Sequence, residues 1–142
     1  MNKWKSWLAL VLMVVFMPVA LAQSPAGTWT TIDDKTGKKR AVVRIVVSGN
    51  TLTGTIVKVY SQPGDKGICQ NCPGAFKDKP VMGMQFLWGL KDKGNGEWDG
   101  GKILDPKTGK IYRAKVTLQG NKLLVRGYIG VSILGRTQTW VR

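Results

Sequence analysis

The chain has two cysteines, Cys69 and Cys72, and they are separated by two residues in the segment GICQNCPG. A pair with this spacing can form a redox centre, half of a zinc site, part of a haem attachment motif or a local disulfide. Zinc needs four ligands and this type of haem attachment needs a following histidine, but the chain has no other cysteine and no histidine. A redox pair places one thiol at a helix N-terminus, whereas Pro73-Gly74 indicates a loop. A structural disulfide is predicted, and thiol-disulfide exchange is the weaker alternative.

Glu97 and Asp99 are the best-spaced pair of carboxylates, two residues apart on a predicted strand and so roughly 7 Å from each other. Glycosidases use carboxyl pairs at about this separation. Trp98, between them, is the better core residue, which predicts that both carboxylates face solvent. The absence of histidine also excludes a Ser-His-Asp triad. The sequence therefore predicts no catalytic residues, no metal and no cofactor.

The first 22 residues have the pattern of a secretory signal peptide. Lys3 and Lys5 precede an apolar stretch over 7–21, and Ala20-Leu21-Ala22 is a small-x-small cleavage site before Gln23. The stretch is shorter than the roughly 20 residues of a spanning helix. We expect cleavage, export to the periplasm or beyond, and a mature chain of residues 23–142 without a transmembrane segment.

Basic residues dominate the chain, with 22 Lys and Arg against 8 Asp and Glu. Loss of Lys3 and Lys5 with the signal peptide changes the net charge from +14 to +12. A charge of this size favours solubility and attraction to polyanions. For an exported protein, nucleic acid is not an expected partner, and an anionic envelope lipid or polymer is.

Short apolar-polar alternations separated by turn residues predict an all-β domain. The predicted strands cover residues 27–32, 40–47, 51–61, 83–90, 97–104, 110–118, 122–129 and 136–141. In the sixth, Ala114 and Val116 alternate with Arg113 and Lys115, so one face is apolar and the other polar. No helix is predicted that could cover the apolar face, and closing the sheet on itself is the simplest solution. The fold class is therefore a single small antiparallel β-barrel of about eight strands.

Two turns, 34–37 and 105–109, share one pattern, in which an aspartate caps the turn and a final glycine takes a left-handed conformation. Neither turn has the closely spaced carboxylates of a calcium site.

The last strand places Arg136, Gln138 and Trp140 on one face, and in a closed barrel it lies beside the first strand, which carries Trp29. An arginine can stack on a tryptophan ring while its guanidinium bonds to main-chain carbonyls. We expect these four residues to close one end of the barrel. The alternative is that Arg136 is an interior cation that receives a ligand carboxylate or phosphate.

The chain resembles the small exported bacterial proteins grouped as domain-of-unknown-function family 2147. The resemblance is carried by GTW at 27–29, LTGTI at 52–56, CPGAFKDKPVMGMQFLWGL at 72–90, WDGGKILDPKTGKIY at 98–112, LLVRGYIG at 123–130 and GRTQTW at 135–140. It implies a lipocalin-like antiparallel barrel and an exported location, with no established activity or cofactor. The opening Gly-x-Trp and the late arginine are also similar to the lipocalin pattern.

Three functions are compatible with the sequence. The first is non-enzymatic binding of a small or lipidic molecule, with Trp88, Trp98, Tyr112, Tyr128 and Arg136 as candidate pocket residues. The second is a barrel with a filled interior that uses its basic surface on an anionic lipid or polymer. The third is thiol-disulfide exchange at the cysteine pair.

Overall fold

The computed structural model describes residues 12–14, 23–130 and 135–142, so the predicted signal peptide lies outside the described residues except for 12–14. The strands are β1 Gly27–Ile32, β2 Lys39–Ser48, β3 Thr51–Val59, β4 Gln85–Gly94, β5 Glu97–Leu104, β6 Ile111–Gln119, β7 Lys122–Tyr128 and β8 Gly135–Val141. Within the described ranges, the helical structure consists of one 3₁₀ turn, Gly74–Phe76. These ranges contain no helix with the length and hydropathy of a membrane-spanning segment.

Each strand pairs antiparallel with the next, and β1 pairs with β8 to close the barrel. The closing pairs are Thr30 with Val141 and Thr31 with Trp140. The predicted closed barrel of about eight strands is confirmed. β4 is longer than predicted and continues to Gly94, because its charged end is still paired with β5. That end is exposed on both faces and has no apolar pattern.

The core fills the inside of the barrel with side chains from all eight strands. Its fully buried members include Trp29, Val43, Ile45, Leu52, Leu87, Leu90, Ala114, Val116, Leu123 and Trp140. Burying one large apolar side chain contributes about 1.5–3 kcal/mol. In β6, Ala114 and Val116 are buried and Arg113 is exposed, as the alternation predicted.

Irregular pairing along β4 and β5 changes which side chains face inward. Gly54 pairs with Leu87 and Thr55 with Gln85, so Phe86 is an extra residue at a bulge and is buried together with Leu87. On β5 the register shifts before Gly101. A Cβ at Gly101 would overlap backbone atoms of β4, so this close approach requires glycine.

The two ends of the barrel differ in the length of their connections. At one end, β2–β3, β4–β5 and β6–β7 are joined by two-residue turns built on glycine and asparagine. At the other end lie the connections 33–38, 60–84 and 105–110, together with Ile129 and Gly130 after β7. The second end is therefore the one with enough chain to form a mouth.

Candidate ligand-binding cavity

A cavity of about 820 Å³ opens at the end of the barrel that carries the long connections. Its apolar wall includes Val43 of β2, Ile56 of β3, Phe86 of β4 and Trp140 of β8. The rings of Phe86 and Trp140 stack with their centroids 6.0 Å apart. Pockets for small molecules commonly measure about 300–1,000 Å³ and have mostly apolar linings. The mouth end of the barrel is therefore an open cup above a packed core.

Two polar side chains, Thr31 and Gln138, line the cavity beside Trp140. The indole Nε1 of Trp140 donates to Oε1 of Gln138 at 3.3 Å. Because an indole N–H is only a donor, the amide oxygen of Gln138 must face it. The NH₂ group of Gln138 thus remains as a donor for a ligand that carries an oxygen acceptor.

The connections 33–38 and 105–110 border the cavity as near-copies of one turn, DDKTGK and DPKTGK. Asp33 Oδ1 accepts from the backbone N–H groups of Lys35 and Thr36, at 2.8 and 3.0 Å. Asp105 Oδ1 accepts from Lys107 N at 2.9 Å in the same way. These bonds, from Thr36 and then from Lys35, hold the pKa of Asp33 below its usual value.

The glycines that close these turns, Gly37 and Gly109, have φ of 70° and 76°, as predicted. The prediction was wrong about the first cap, which is Asp33 rather than Asp34.

Asp34 instead pairs with Arg136 across the mouth. Arg136 Nε donates to Asp34 Oδ2 at 2.7 Å, and its Nη2 donates to Oδ1 of the same carboxylate. The hydrogen bond and charge of Arg136 lower the pKa of Asp34, and the same contacts raise the pKa of Arg136. The arginine is therefore already neutralised by a carboxylate and is not an unpaired anion receptor.

The opposite end of the barrel is closed by Arg142, not by Arg136. The Arg142 guanidinium lies 4.3 Å from the ring centroid of Trp29. Its Nη1 donates to the carbonyls of Ser24 and Ala26 at 3.3 and 3.4 Å, and Trp29 Nε1 donates to Pro25 O at 2.8 Å. The predicted interaction exists but uses a different arginine, because β8 starts at the mouth and ends at the closed end.

The other two predicted closing residues, Gln138 and Trp140, also line the cavity instead. Trp29 remains at the closed end, as predicted.

The aromatic residues predicted for the pocket are dispersed. Trp88 pairs with Lys102, and Arg113 pairs with both Lys102 and Tyr128. Directly paired residues share a face, and Lys102 and Arg113 are exposed, so Trp88 and Tyr128 lie on the outer wall. The prediction that these two residues line the interior was wrong.

Trp98 and Tyr112 face inward, since Trp98 pairs with Val116 and Tyr112 with Ile103, but neither lines this cavity. Of the predicted pocket residues, Arg136 lines the cavity, at its rim.

The residues that do line the apolar wall were missed for different reasons. Val43 and Ile56 follow the period-two pattern of β2 and β3, so alternation could have identified them. Phe86 could not be assigned in this way, because the bulge beside Leu87 breaks the alternation.

Glu97 and Asp99 also face outward, and each contacts a side chain of another strand. Glu97 forms an ion pair with Lys115 at 3.7 Å, while Asp99 accepts from the Tyr128 hydroxyl at 3.0 Å. Burial, and then the bond to Asp99, raise the pKa of Tyr128. Trp98 between the carboxylates is buried. No group of three or more metal-ligating side chains comes together in the described part of the chain.

The cysteine-bearing connection 60–84 packs against the mouth and the outer wall. Cys69 and Cys72 form a disulfide with Cα atoms 5.4 Å apart, and both residues are buried. The Cys69 sulfur lies 3.3 Å from the carbonyl oxygen of Pro106. A Cβ at Gly109 would overlap the backbone of Asn71, so the loop and the 105–110 turn are in close contact.

Further along the same connection, Phe76 stacks on Trp88 with centroids 5.6 Å apart, beside an open outer groove of about 610 Å³. The loop therefore covers part of the outer wall.

Comparison with known proteins agrees with this architecture. A family described as "Uncharacterized protein conserved in bacteria (DUF2147)" matches residues 27–142. A solved structure described as "Protein HP1028 from the human pathogen Helicobacter pylori belongs to the lipocalin family" superposes with a TM-score of 0.73. The two chains are 21% identical, and the match covers 85% of this chain and 84% of that one. No curated protein matches.

Proposed function

Because the chain belongs to the bacterial family DUF2147 and folds as a lipocalin-like barrel, we propose that it binds a small apolar or lipidic molecule in the cavity at its mouth. We propose further that it does so without catalysis, after export to the periplasm. The observation that carries the proposal is the cup itself, with its wall of Val43, Ile56, Phe86 and Trp140.

The polar groups of the cavity indicate the type of ligand. An apolar body fits against Phe86 and Trp140, and an oxygen acceptor could receive the amide of Gln138. At the rim, Arg136 is paired with Asp34. A ligand with an uncharged or zwitterionic polar group suits this rim better than one with a lone anionic head, because a lone anion would have to compete with Asp34.

The cup at the mouth favours the first function over the second, which needs no cavity. For the third, a reactive cysteine needs access and a lowered thiol pKa. Both cysteines are buried, and Cys69 lies in an extended segment next to the bridge between Ile68 and Pro80 rather than at a helix N-terminus. A structural disulfide suits these surroundings better than a catalytic one.

Binding of the fluorescent probe N-phenyl-1-naphthylamine would test the proposal. The wild-type chain should enhance the probe's fluorescence saturably, and long-chain alcohols or amides should displace it. Ala41→Phe, at a half-buried cavity position, should weaken probe binding at least about tenfold by filling the cup. Val46→Phe, on the exposed outer face of β2, is the matched control and should bind the probe like the wild type.

Two outcomes would contradict ligand binding: no saturable enhancement by the wild-type chain, or unchanged binding by a folded Ala41→Phe variant. Native mass spectrometry of the chain purified from its own cells would show whether a ligand is retained. N-terminal sequencing after cell fractionation tests the export proposal, which requires a periplasmic or secreted chain that begins at Gln23.

A further inference from the structure

Exposed large apolar side chains cluster around the mouth. In the described residues 23–130 and 135–142, the exposed ones are Val46, Ile68, Met82, Ile111 and Ile129. All except Val46 lie in, or directly beside, the connections at the open end. Single exposed apolar residues are ordinary. The mouth connections and their flanks contribute four of them, Ile68, Met82, Ile111 and Ile129, and we call these four residues the apolar rim.

Lysines are interspersed with these residues. The mouth connections and their flanks carry the exposed Lys35, Lys38, Lys39, Lys66, Lys77, Lys79, Lys107 and Lys110.

The same connections carry five aspartates against these eight lysines, so the lysines remain in excess. Asp33 and Asp105 cap their turns, Asp65 accepts from Gln62 N at 2.7 Å, and Asp34 binds Arg136. In the part of the chain that the structure describes, neither of the two ion pairs uses a rim lysine. The rim therefore presents cationic and apolar groups together.

We infer that the open rim docks on a bilayer that contains anionic phospholipid, with Ile68, Met82 and Ile111 entering the interface and the lysines contacting phosphates. Basic residues are attracted to an anionic leaflet, and amphipathic surfaces bind through apolar burial plus this attraction. The inference goes beyond ligand binding in the cup and does not require it.

Docking through the rim would bring the cavity to the membrane surface. Ile68 and Met82 line the cavity as well as being exposed. A barrel docked through them would place its mouth against the membrane, where a lipidic ligand could enter without crossing water. The two-residue turns of the closed end would point away from the bilayer.

Flotation with phosphatidylcholine vesicles, with and without phosphatidylglycerol, would test the inference. The chain is expressed from residue 1, so that any processing in the cell takes place. We expect binding to the anionic vesicles only, weakening as salt rises because exposed charges are screened. Ile68→Ser combined with Met82→Ser should weaken that binding about tenfold, since two partly exposed apolar groups would no longer be buried in lipid. Val46→Ser is the control away from the mouth.

Charge variants then test the orientation. Lys35→Gln with Lys107→Gln, at the mouth, should weaken binding several-fold more than Lys93→Gln with Lys122→Gln, near the closed end. Circular dichroism and melting curves verify that every variant is folded.

The inference is overturned if anionic vesicles are not bound at low salt, or if neutral vesicles are bound equally well. It is also overturned if the Ile68/Met82 variant binds like the wild type while the lysine variants do not. That result would identify a purely electrostatic polyanion surface. Equal losses from mouth and closed-end charge variants would exclude a preferred orientation.

Discussion

Two arginines near the ends of β8 have different environments, and their contributions to stability should differ. Arg142 stacks on Trp29 and donates to two backbone carbonyls, whereas Arg136 forms an exposed ion pair with Asp34. Exposed ion pairs contribute about 0–1 kcal/mol. A stacked arginine with carbonyl acceptors contributes through both the ring contact and the hydrogen bonds.

We therefore predict that Arg142→Met destabilises the barrel by about 1–2 kcal/mol, which lowers the melting temperature by several degrees. Arg136→Met should have a clearly smaller effect under the same conditions. Thermal melts of both variants, followed by circular dichroism, make the comparison. A larger loss for Arg136→Met would mean that the mouth, rather than the Trp29 end, limits stability.

Asp33 should make the fold sensitive to acid. Its pKa is lower in the folded chain because backbone N–H groups donate to the ionised carboxylate. The unfolded state then binds the proton more tightly, so this stabilisation is present above the unfolded pKa of about 3.9 and is lost as the pH falls through the folded value.

Asp33→Asn retains an oxygen acceptor for the same N–H groups but cannot titrate. We predict that the melting temperature of the variant falls less steeply than that of the wild type as the pH decreases from about 5 to 3. Melting temperatures over that range measure the difference. Parallel curves would show that other carboxylates, such as Asp34 with its lowered pKa, dominate the acid response.

At the scale of elements, the cysteine connection is a cover on a barrel that closes without it. The eight strands form a complete hydrogen-bonded ring, and connection 60–84 adds contacts to the 105–110 turn and to Trp88. Loosening this cover should change the loop and leave the ring in place.

We predict that the chain purified without reductant has no thiols that react with iodoacetamide under denaturing conditions. Complete labelling of both cysteines would contradict the disulfide. Cys69→Ser with Cys72→Ser should leave a cooperatively folded barrel, because closing so short a loop contributes no more than about 2 kcal/mol. Faster proteolysis within residues 60–84 is the expected sign of the looser loop.

At the scale of the whole molecule, the positive charge is spread over the outer wall as well as the mouth. Lys102 pairs directly with Arg113, and Lys115 pairs with Arg126. Like charges opposite each other on neighbouring strands are destabilising. A barrel of this net charge therefore repels itself at low ionic strength.

Added salt should consequently raise the melting temperature. Lys102→Gln should raise the melting temperature at low salt, because it removes one of the two charges in the Lys102–Arg113 repulsion. Added salt should then raise the melting temperature of this variant by less than that of the wild type. Lys93→Gln, on the exposed end of β4, is the control for a general loss of charge. A wild-type melting temperature that does not change with salt would mean that this repulsion does not measurably affect stability.

The sequence alone determined the local features of this protein. Alternation predicted eight strands, and the turn residues predicted their connections, including the left-handed Gly37 and Gly109. Closure followed from an apolar face without a helix to cover it. The strands and turns depend on neighbouring residues, so spacing was sufficient for them, whereas closure was inferred from the lack of a covering helix. Alternation from Leu123 and Val125 also places Tyr128 on the outer face, so the pattern of β7 argues against a pocket position for this residue.

The tertiary structure decided which residues meet across the barrel. The bulge at Phe86 and the irregular pairing around Gly89 put Phe86 in the cavity and Trp88 on the outer wall. The strand direction of β8 assigned Arg142 to Trp29 and Arg136 to Asp34. A shift of one residue reverses the face of every later side chain. Such shifts are set by pairing between strands that are distant in sequence, and local patterns do not contain that information.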